Sequence, residues 1–594
     1  PAVTSSRYYT FNISENSTTG TPANESISVM ETGFNPVSIT AVSPNTTSPR
    51  PNNSVLVTVT TSAAPASGEL LYLRYSTSAT FATSAIAPVT MSGTSGTAIL
   101  PCQTAGTMVY YYAFSTTKTT AQLSADVTTG GQIAYDLATL QLNNNASANY
   151  TYTVVSGTAF AGVYGVPSSC YPTLASFVSA LNTGTISGSV DVYLERGYVE
   201  TAPSLGINFN ATGTSSNPIR ILSRGSGAKP LINAGTGSVS LNTAATTVDY
   251  IFGIHGGDFI TIDGINFADS NASGAAQMEA GIMVFRTSTI NASQNVTISN
   301  CRVWFRNPVM ATGPTLFENG NKGIAFVGAV NNALTTTTVP VSTAGRCENI
   351  ILESDTILNA YTGILVRSSN DGTAPYTFID QNVTIGGNTA AKGCVVTGFV
   401  ESGIKTYNLN NLIIRNNKVN NNNQSGYSGM PASTTVNGIW MNGQGTNNAV
   451  ITCVNNTISA RNPNITSSTM FGIRSETGNG GPDARQWIND NTITGLYNLY
   501  GSVNGIAATS FCNKGLQVMR NTISDGRCAS SVTSDRFTGI NTGNSSGGAE
   551  LTQIRENLIF RDTASNAFTG VSFASIFSSS WLYIKGYQIS RNTI

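Results

Sequence analysis

Charged residues are scarce in this chain of 594 residues. They make up 10% of the sequence, and Lys plus Arg balance Asp plus Glu at 29 each. A typical soluble protein is about one quarter charged. A balanced, weakly charged chain has neither the basic stripe of a nucleic-acid-binding protein nor the acidic block of an interaction tail. We therefore expect no nucleic-acid partner.

Segments that would place the chain in a membrane are also missing from the sequence. No apolar run is long enough to form a transmembrane helix. The first four residues have neither the basic nor the apolar region of a signal peptide. The composition, rich in Ser, Thr, Asn and Gly, suits a protein whose leader has already been removed. We therefore predict a secreted or cell-surface location without a membrane span.

Histidine and closely spaced cysteines are nearly absent. The one histidine, His255, lies in the segment GIHGGD, where a turn or surface position is expected. The eight cysteines are widely separated and form no Cys-x-x-Cys motif, which argues against a zinc site or a redox pair. Buried thiols are the simpler interpretation, and Cys512 with Cys528, the nearest pair in sequence, is the candidate disulfide. We expect no cofactor.

The chain contains a long internal repeat instead. From residue 281 onward, Gly followed by an aliphatic residue recurs nine times at intervals of 31 to 42 residues. Each copy is followed by the pattern aliphatic-x-x-Asn-x-aliphatic. The glycines of the nine copies are Gly281, Gly323, Gly363, Gly403, Gly438, Gly472, Gly505, Gly539 and Gly570.

Asparagine recurs at one position of this second pattern. Stacked coils would place these amides above one another, where they can bond as a ladder. Two copies carry another residue at the same position, Asp355 and Cys301. The predicted structural ladder consists of Asn388, Asn417, Asn456, Asn491, Asn521, Asn557 and Asn592.

Two short strand-like elements per period predict a right-handed parallel β-helix over residues 161–594. Gly and Asn would supply the bends because both tolerate positive φ. A propeller, the alternative, needs four strands per period, and a leucine-rich repeat needs a leucine framework that is absent. The first coils, 185–280, are irregular, and the coils of 281–594 are regular. Apolar residues at helical spacing in 171–184 predict a short helix that caps the solenoid.

Residues 1–160 differ from this pattern. Short alternating strands such as SVLVTVTTS and TMVYYYAFST are separated by turn clusters at intervals of about 8–12 residues, which predicts an Ig-like β-sandwich. Tyr110, Tyr111 and Tyr112 would be partly core residues of a strand, or would stack on sugars if they were exposed. The fold class expected for the whole chain is therefore all-β.

Three segments resemble parts of large secreted surface proteins of the Bacteroidota: LYLRYSTSATFATS, YPTLASFVSALNTG and GGDFITIDGINF. The resemblance implies an Ig-like module ahead of a β-helix, export by the type IX secretion system, and an adhesin or surface-fibre role. Implied partners are the secretion machinery, glycans or other surface proteins. It also implies that the coils continue beyond Ile594. Asp562-Thr563-Ala564 matches the O-glycosylation signal of such proteins, which makes Thr563 a candidate site.

An enzyme is the alternative, because parallel β-helices also host polysaccharide lyases and hydrolases. Those reactions need paired carboxylates, or a calcium site, on neighbouring coils. The chain has no Asp-Asp pair, and Asp258 and Asp263 are weak calcium candidates, for which turn capping in a glycine-rich bend is the favoured interpretation. Arg302, Trp304 and Arg306 form a second candidate patch, for sugar binding. We favour a non-catalytic, adhesin-like or structural protein over a carbohydrate-active or glycan-binding one.

Overall fold

The computed structural model describes most of the chain from residue 36 onward. The described ranges are 36–237, 248–273, 276–308, 320–330, 339–369, 377–421, 435–443, 450–462, 468–477, 484–509, 515–529, 535–542, 552–560, 563–564, 567–572 and 587–594.

Two antiparallel sheets form the N-terminal β-sandwich. Alternation of Val55, Val57 and Val59 with half-buried threonines places one face of the strand in the core between the sheets. One sheet has the strand order Ile39–Pro44, Val55–Thr61, Ser95–Leu100, Thr90–Ser92. The other has the order Ala85–Pro88, Leu70–Ser76, Met108–Thr116, Gln141–Asn143, with Tyr150–Thr153 also paired to Met108–Thr116.

Two helices that were not predicted cover the outer face of the second sheet. They are α1 (Thr120–Gly130) and α2 (Ile133–Ala138), and the capping box of Thr119 with Gln122 begins α1. Leu123 of α1 packs in a cluster with Tyr112 and other aromatic residues. Both faces of the Met108–Thr116 strand are consequently buried, so neither Tyr111 nor Tyr112 is open to a sugar.

Three long parallel sheets follow, and they confirm the predicted parallel β-helix. Sheet I contains Phe160–Val166, Ile186–Glu195, Ile219–Arg224, Ile260–Asp263, Gln294–Ser299, Glu348–Glu353, Gln381–Ile385, Asn410–Arg415, Val450–Val454, Arg485–Asn489, Leu516–Met519, Thr552–Arg555 and Tyr587–Ser590. Sheet II contains Val199–Thr201, Leu231–Asn233, Asn266–Asp269, Arg302–Phe305, Thr356–Leu358, Val395–Thr397, Lys418–Asn420, Thr457–Ser459, Thr492–Thr494, Thr522–Ser524 and Leu558–Phe560.

Sheet III completes each coil, and short strands add a fourth sheet in the later coils. Sheet III contains Ile207–Phe209, Tyr250–His255, Ala280–Arg286, Lys322–Val330, Thr362–Arg367, Ser402–Tyr407, Val436–Gly443, Met470–Thr477, Val503–Ala508, Arg536–Asn541 and Ala567–Ser572. Sheet IV contains Arg461–Asn462, Tyr497–Asn498, Arg527–Cys528 and Thr563–Ala564. Short 3-10 turns lie at Thr343–Gly345 and Ala390–Lys392.

The repeated glycines are required by crowding inside the coil, and the prediction that they supply bends with positive φ was wrong. Seven of them, from Gly281 to Gly505, lie in sheet III without positive φ. A Cβ on any of these seven would come closer than 3.0 Å to a β-branched side chain of sheet II, such as Val419 facing Gly403. The Gly-aliphatic repeat therefore marks where sheets II and III come close together.

The first end of the solenoid is covered by a helix and by the sandwich. The predicted capping helix is α3 (Leu174–Thr183), and its predicted apolar side chains are buried in the solenoid core. Ser54 of the sandwich bridges to Val163 on the edge strand of sheet I. A disulfide between Cys102 and Cys170 joins the two regions. Together these contacts protect a strand edge that would otherwise be open to pairing.

The disulfide predicted between Cys512 and Cys528 stays a prediction, because Cys512 lies outside the described residues. Sγ of Cys528 is buried and lies 3.3 Å from the carbonyl oxygen of Gly501. The disulfide that the structure describes joins residues 68 positions apart, a separation at which sequence proximity gives no guide.

Candidate functional site

One column of side chains lies inside the turn between sheets I and II, with one residue from each coil. We call it the ladder column. From the third sheet II strand onward, its members occupy the position just before the strand, and Asn592 holds the same position before the isolated bridge at Thr593. The residue ahead of most members has positive φ. The column consists of Ile265, Cys301, Asp355, Cys394, Asn417, Asn456, Asn491, Asn521, Asn557 and Asn592.

The asparagines of the column bond to one another and to the backbone. Asn456 donates its backbone N–H and its Nδ2 to Oδ1 of Asn491, both at 3.0 Å. Nδ2 of Asn456 also donates to the carbonyl of Ile414 at 3.0 Å. The same pattern recurs at Asn491 and Asn521, so each buried amide fills both its donor and acceptor capacity. The column therefore joins the coils; the contacts described leave no amide for a ligand.

Asn388 does not belong to the ladder column, and its assignment was wrong. Its side chain is exposed in a turn that is longer than in other coils. The extra residues, which include the 3-10 turn Ala390–Lys392, move the column position to Cys394. Oδ1 of Asn417 accepts from the backbone N–H of Cys394 at 2.9 Å, which fixes that position.

A second asparagine ladder, on the outside of sheet I, was missed. Nδ2 of Asn349 donates to Asn295, that of Asn382 to Asn349, and that of Asn411 to Asn382, at 3.0 to 3.1 Å. All four asparagines have φ between 51° and 57°. The signal was present as a polar residue followed by Asn-aliphatic-x-aliphatic at the start of each strand, as in QNVTI and ENIIL.

Asp258 and Asp263 each accept hydrogen bonds from residues of the next coil. Oδ1 of Asp258 accepts from the backbone N–H of Gln294 at 2.8 Å. Oδ1 of Asp263 accepts from the hydroxyl of Ser299 at 2.7 Å and from Nδ2 of Asn300 at 2.6 Å. No group of three potential metal ligands occurs among the described residues. The observed contacts of both carboxylates therefore join neighbouring coils.

One pair of carboxyl groups does meet, where sheet III begins. Oε2 of Glu279 accepts from the backbone N–H of Asp249 at 2.8 Å, and Oδ1 of Asp249 accepts from the backbone N–H of Glu279 at 3.0 Å. Burial, followed by the contact with Asp249, raises the pKa of Glu279 to about 9. Asp249 is 0% and Glu279 2% exposed. A pair enclosed in this way lacks the access that a general acid and base require.

His255 ends a sheet III strand and is half-buried, so it is not a surface turn residue. Its Nε2 lies 2.6 Å from the hydroxyl oxygen of Tyr250, and that hydroxyl donates to Oδ1 of Asn208. Burial lowers the pKa of His255, which keeps the imidazole neutral at pH 7. In this group Tyr250 is buried, His255 is half-buried and Asn208 is exposed.

A row of cations and aromatic rings runs along the outer face of sheet III. We call it the cation–π row, and it comprises Arg367, Tyr407, Lys405, Trp440 and Arg474. Nζ of Lys405 lies 4.3 Å from the Trp440 ring centre, and Cζ of Arg474 lies 4.5 Å from it. Lys405 and Arg474 are the strand neighbours on either side of Trp440, so cations cover both ring faces.

Carboxylates complete the cation–π row. Glu401 accepts from Nζ of Lys405 at 3.0 Å, and Glu476 accepts from Arg474 at 2.6 Å and from Nε1 of Trp440 at 3.1 Å. These contacts fasten three successive coils to each other on the outside. A sugar could not stack on Trp440 unless one of the two cations moved away.

Two further candidates remain as predictions. Arg302, Trp304 and Arg306 lie at the outer face of sheet II, where Trp304 is half-buried and both arginines are exposed. Thr563 lies in a sheet IV strand beside Arg527. No contact described here assigns a sugar to the first site or a modification to the second.

Comparison with known proteins gives little more. No family description and no curated protein matches the chain. A solved structure, the tailspike protein of E. coli bacteriophage HK620 in complex with a pentasaccharide, is similar to it with 10% sequence identity and a TM-score of 0.33. The similarity covers 73% of this chain and 72% of the tailspike chain. At so low a TM-score, the ligand of that protein says nothing about this one.

Proposed function

We propose that this chain is a non-catalytic, secreted or cell-surface β-helix protein with an adhesin-like or structural role. The observation that carries the proposal is the enclosure of the paired carboxyl groups of Asp249 and Glu279. Parallel β-helix enzymes act from open grooves, whereas here the acids bond to backbone amides inside the turn.

Several features of the described residues support this role. The polar repeat of the sequence forms hydrogen bonds between coils, and the cation–π row joins coils on the outside. No described helix is long and apolar enough to cross a bilayer. Export by the type IX system, and contact with that machinery, are part of the same proposal and rest on the resemblance to Bacteroidota surface proteins.

A turnover assay combined with cell binding tests the proposal. The purified protein would be incubated with a panel of neutral and acidic polysaccharides, with and without calcium, and new reducing ends and unsaturated uronates would be measured. We expect no turnover above a heat-denatured control, together with saturable binding of the labelled protein to cell surfaces. Turnover of any polysaccharide would overturn the non-catalytic assignment, and absence of binding would leave only a structural role.

Glycan binding along sheet III is the second candidate. Coils repeat at about 4.8 Å, so the cation–π row spans roughly 14 Å, the length of a short oligosaccharide. Because the faces of Trp440 are covered, a sugar would contact ring edges and the polar groups of Arg474 and Glu476.

Three matched tryptophan variants test glycan binding on an array. Trp440→Ala removes the centre of the cation–π row, whereas Trp304→Ala and Trp487→Ala remove half-buried tryptophans of sheets II and I. Binding through the row predicts an affinity loss of about tenfold or more for Trp440→Ala alone. Equal affinity in all three variants would exclude the row as the binding surface.

A further inference from the structure

The ladder column follows a rule about hydrogen-bond donors. From Asn456 onward, each asparagine donates Nδ2 to the carbonyl oxygen three residues before the column position of the preceding coil, whereas Asn417 donates to Ile385, which lies ahead of the longer turn. This holds for Asn456 to Ile414, Asn491 to Cys453, Asn521 to Ile488, Asn557 to Val518 and Asn592 to Ile554, at 2.8 to 3.0 Å.

The two thiols in the column lie near the corresponding carbonyls. The nearest acceptor of Cys301 is the carbonyl oxygen of Ser299 in its own coil, at 3.2 Å. Sγ of Cys301 also lies 3.8 Å from the carbonyl oxygen of Ile262, and Sγ of Cys394 donates to that of Leu352 at 3.5 Å. These carbonyls also lie three residues before the preceding column position. From Cys301 onward, the column residues on both sides of Asp355 therefore carry a side chain that can donate, whether the donor is an amide nitrogen or a sulfur.

Asp355 lies between these two thiols, where an ionised carboxylate could not donate. Its Oδ1 accepts from the backbone N–H of Cys301 at 2.9 Å, as the Oδ1 of each asparagine accepts from the coil before it. Its Oδ2 is buried and has no hydrogen-bond partner among the described residues. The carbonyl that the rule assigns to this second oxygen is that of Ile298.

We propose that Asp355 is a neutral carboxylic acid whose Oδ2–H donates to the carbonyl oxygen of Ile298, so that the residue replaces an asparagine in the ladder column. The proton supplies the missing donor, and it removes a charge from a site that is 1% exposed. The orphaned oxygen is thereby explained without a change in backbone geometry.

This arrangement makes the contact between two neighbouring coils of the solenoid sensitive to rising pH. Complete burial raises the pKa of Asp355 well above its ordinary value. The carboxylates of Asp263 and Glu353 raise the pKa further, and Lys229 and the N–H of Cys301 lower it. The thiols of Cys301 and Cys394 also face the carboxyl group from the coils on either side.

The sign of the pH effect follows from proton linkage. An acid whose folded-state pKa is raised contributes stability that is complete below the unfolded pKa, about 3.9 for aspartate. That stability is lost as pH rises through the folded-state pKa. Ionisation would leave a buried charge with its oxygen facing a carbonyl, which should loosen the contact between the Gln294–Ser299 and Glu348–Glu353 coils.

Asp355→Asn is the decisive variant, because asparagine keeps the shape, the donor and the acceptor but cannot titrate. Thermal midpoints of the wild-type protein and the variant would be compared from about pH 5 to pH 10. The infrared carbonyl band of protonated carboxyl groups would be recorded at neutral pH. We expect the midpoint of the wild type to fall relative to that of the variant as pH rises, and the wild type to show band intensity that the variant lacks.

The reciprocal variant Asn456→Asp provides the matched control. It introduces an acid between two asparagines, so it should acquire the alkaline sensitivity that Asp355→Asn loses. Parallel pH profiles for wild type and Asp355→Asn would overturn the proposal. Equal protonated-carboxyl band intensity in the two proteins would also overturn it, because Asp355 would then be ionised at neutral pH.

Discussion

The two halves of the ladder column solve the same structural problem with different chemistry. From Asn417 to Asn592 every described position is an asparagine, and each amide bonds to the next along the column. From Ile265 to Cys394 the column contains an aliphatic residue, two thiols and an acid. The coils stack in register in both halves, so the backbone pairing does not depend on the amides.

The difference shows what the column contributes. Asparagine has two donor hydrogens, so one can reach the carbonyl of the preceding coil while the other reaches the next amide. A thiol has one hydrogen and can make only the first contact. The C-terminal coils therefore carry a continuous side-chain network in addition to backbone pairing, and the N-terminal coils rely on apolar packing instead.

The largest effect is expected from breaking the amide run. Asn491→Ala would remove, in a buried site, the acceptor of the Asn456 backbone N–H and of one Nδ2 hydrogen of Asn456, and the amide donor to the carbonyl of Cys453. Each such group costs about 1–3 kcal/mol, so we expect a loss of roughly 3–5 kcal/mol in the free energy of unfolding. Urea unfolding followed by circular dichroism would measure it.

Cys394→Ala is the matched change in the N-terminal half. It removes one weak thiol contact with Leu352 and a small buried volume, for which we expect a loss of about 1–2 kcal/mol. Similar losses for Cys394→Ala and Asn491→Ala would show that the amide network adds nothing to the contact with the preceding coil.

The second expected effect is a pH dependence of stability that arises in the N-terminal coils. The folded-state pKa of Glu279, about 9, lies above its unfolded value near 4.5, so this carboxyl contributes stability that is complete below about pH 4.5 and lost as pH rises through 9. Glu279→Gln keeps a donor toward Asp249 and removes this dependence. We expect the fall in thermal midpoint between about pH 4.5 and pH 9 to be shallower in the variant.

Hydrogen exchange can show independently which coils lose stability at alkaline pH. Because the acids lie in the N-terminal coils, amide hydrogen exchange in alkaline buffer should rise near residues 248–286 in wild type relative to Glu279→Gln. Exchange in the asparagine-bearing coils should be the same in both proteins at one pH. Glu348→Gln, which removes a half-buried carboxylate paired with Arg346, serves as the control.

Much of this fold could be predicted because the repeat consists of Gly and Asn, which occur at few kinds of position in β-structure. The Gly-aliphatic and Asn patterns predicted a stack of coils, and the helical spacing of Leu174, Phe177, Val178 and Leu181 predicted α3. Alternating valines predicted the sandwich strands. Each of these signals is local, so it survives without knowledge of what packs against it.

The errors concern contacts made at a distance. Cys394 occupies the ladder column because a longer turn shifts the register. Cys170 forms a disulfide with Cys102, which lies 68 positions earlier, in the region of the sandwich. The regular spacing of the repeated glycines suggested bends. At Gly403, however, glycine is required because a Cβ would lie too close to the side chain of Val419 in sheet II. Burial of Asp249 and Glu279 was equally invisible, since it depends on neighbouring coils.

The smallest effect is expected from the outer ladder, where solvent can replace lost bonds. Asn382 donates to Asn349 and accepts from Asn411 on the outside of sheet I, with a φ of 57°. Asn382→Gly removes both amide contacts but keeps the backbone conformation, so we expect a loss within about 0.5 kcal/mol. Asn382→Ala adds the cost of positive φ, about 1 kcal/mol more. Urea unfolding of the two variants separates the contributions, because only alanine strains the backbone. A loss for Asn382→Gly as large as that for Asn491→Ala would show that exposed and buried amide ladders stabilise the coils equally.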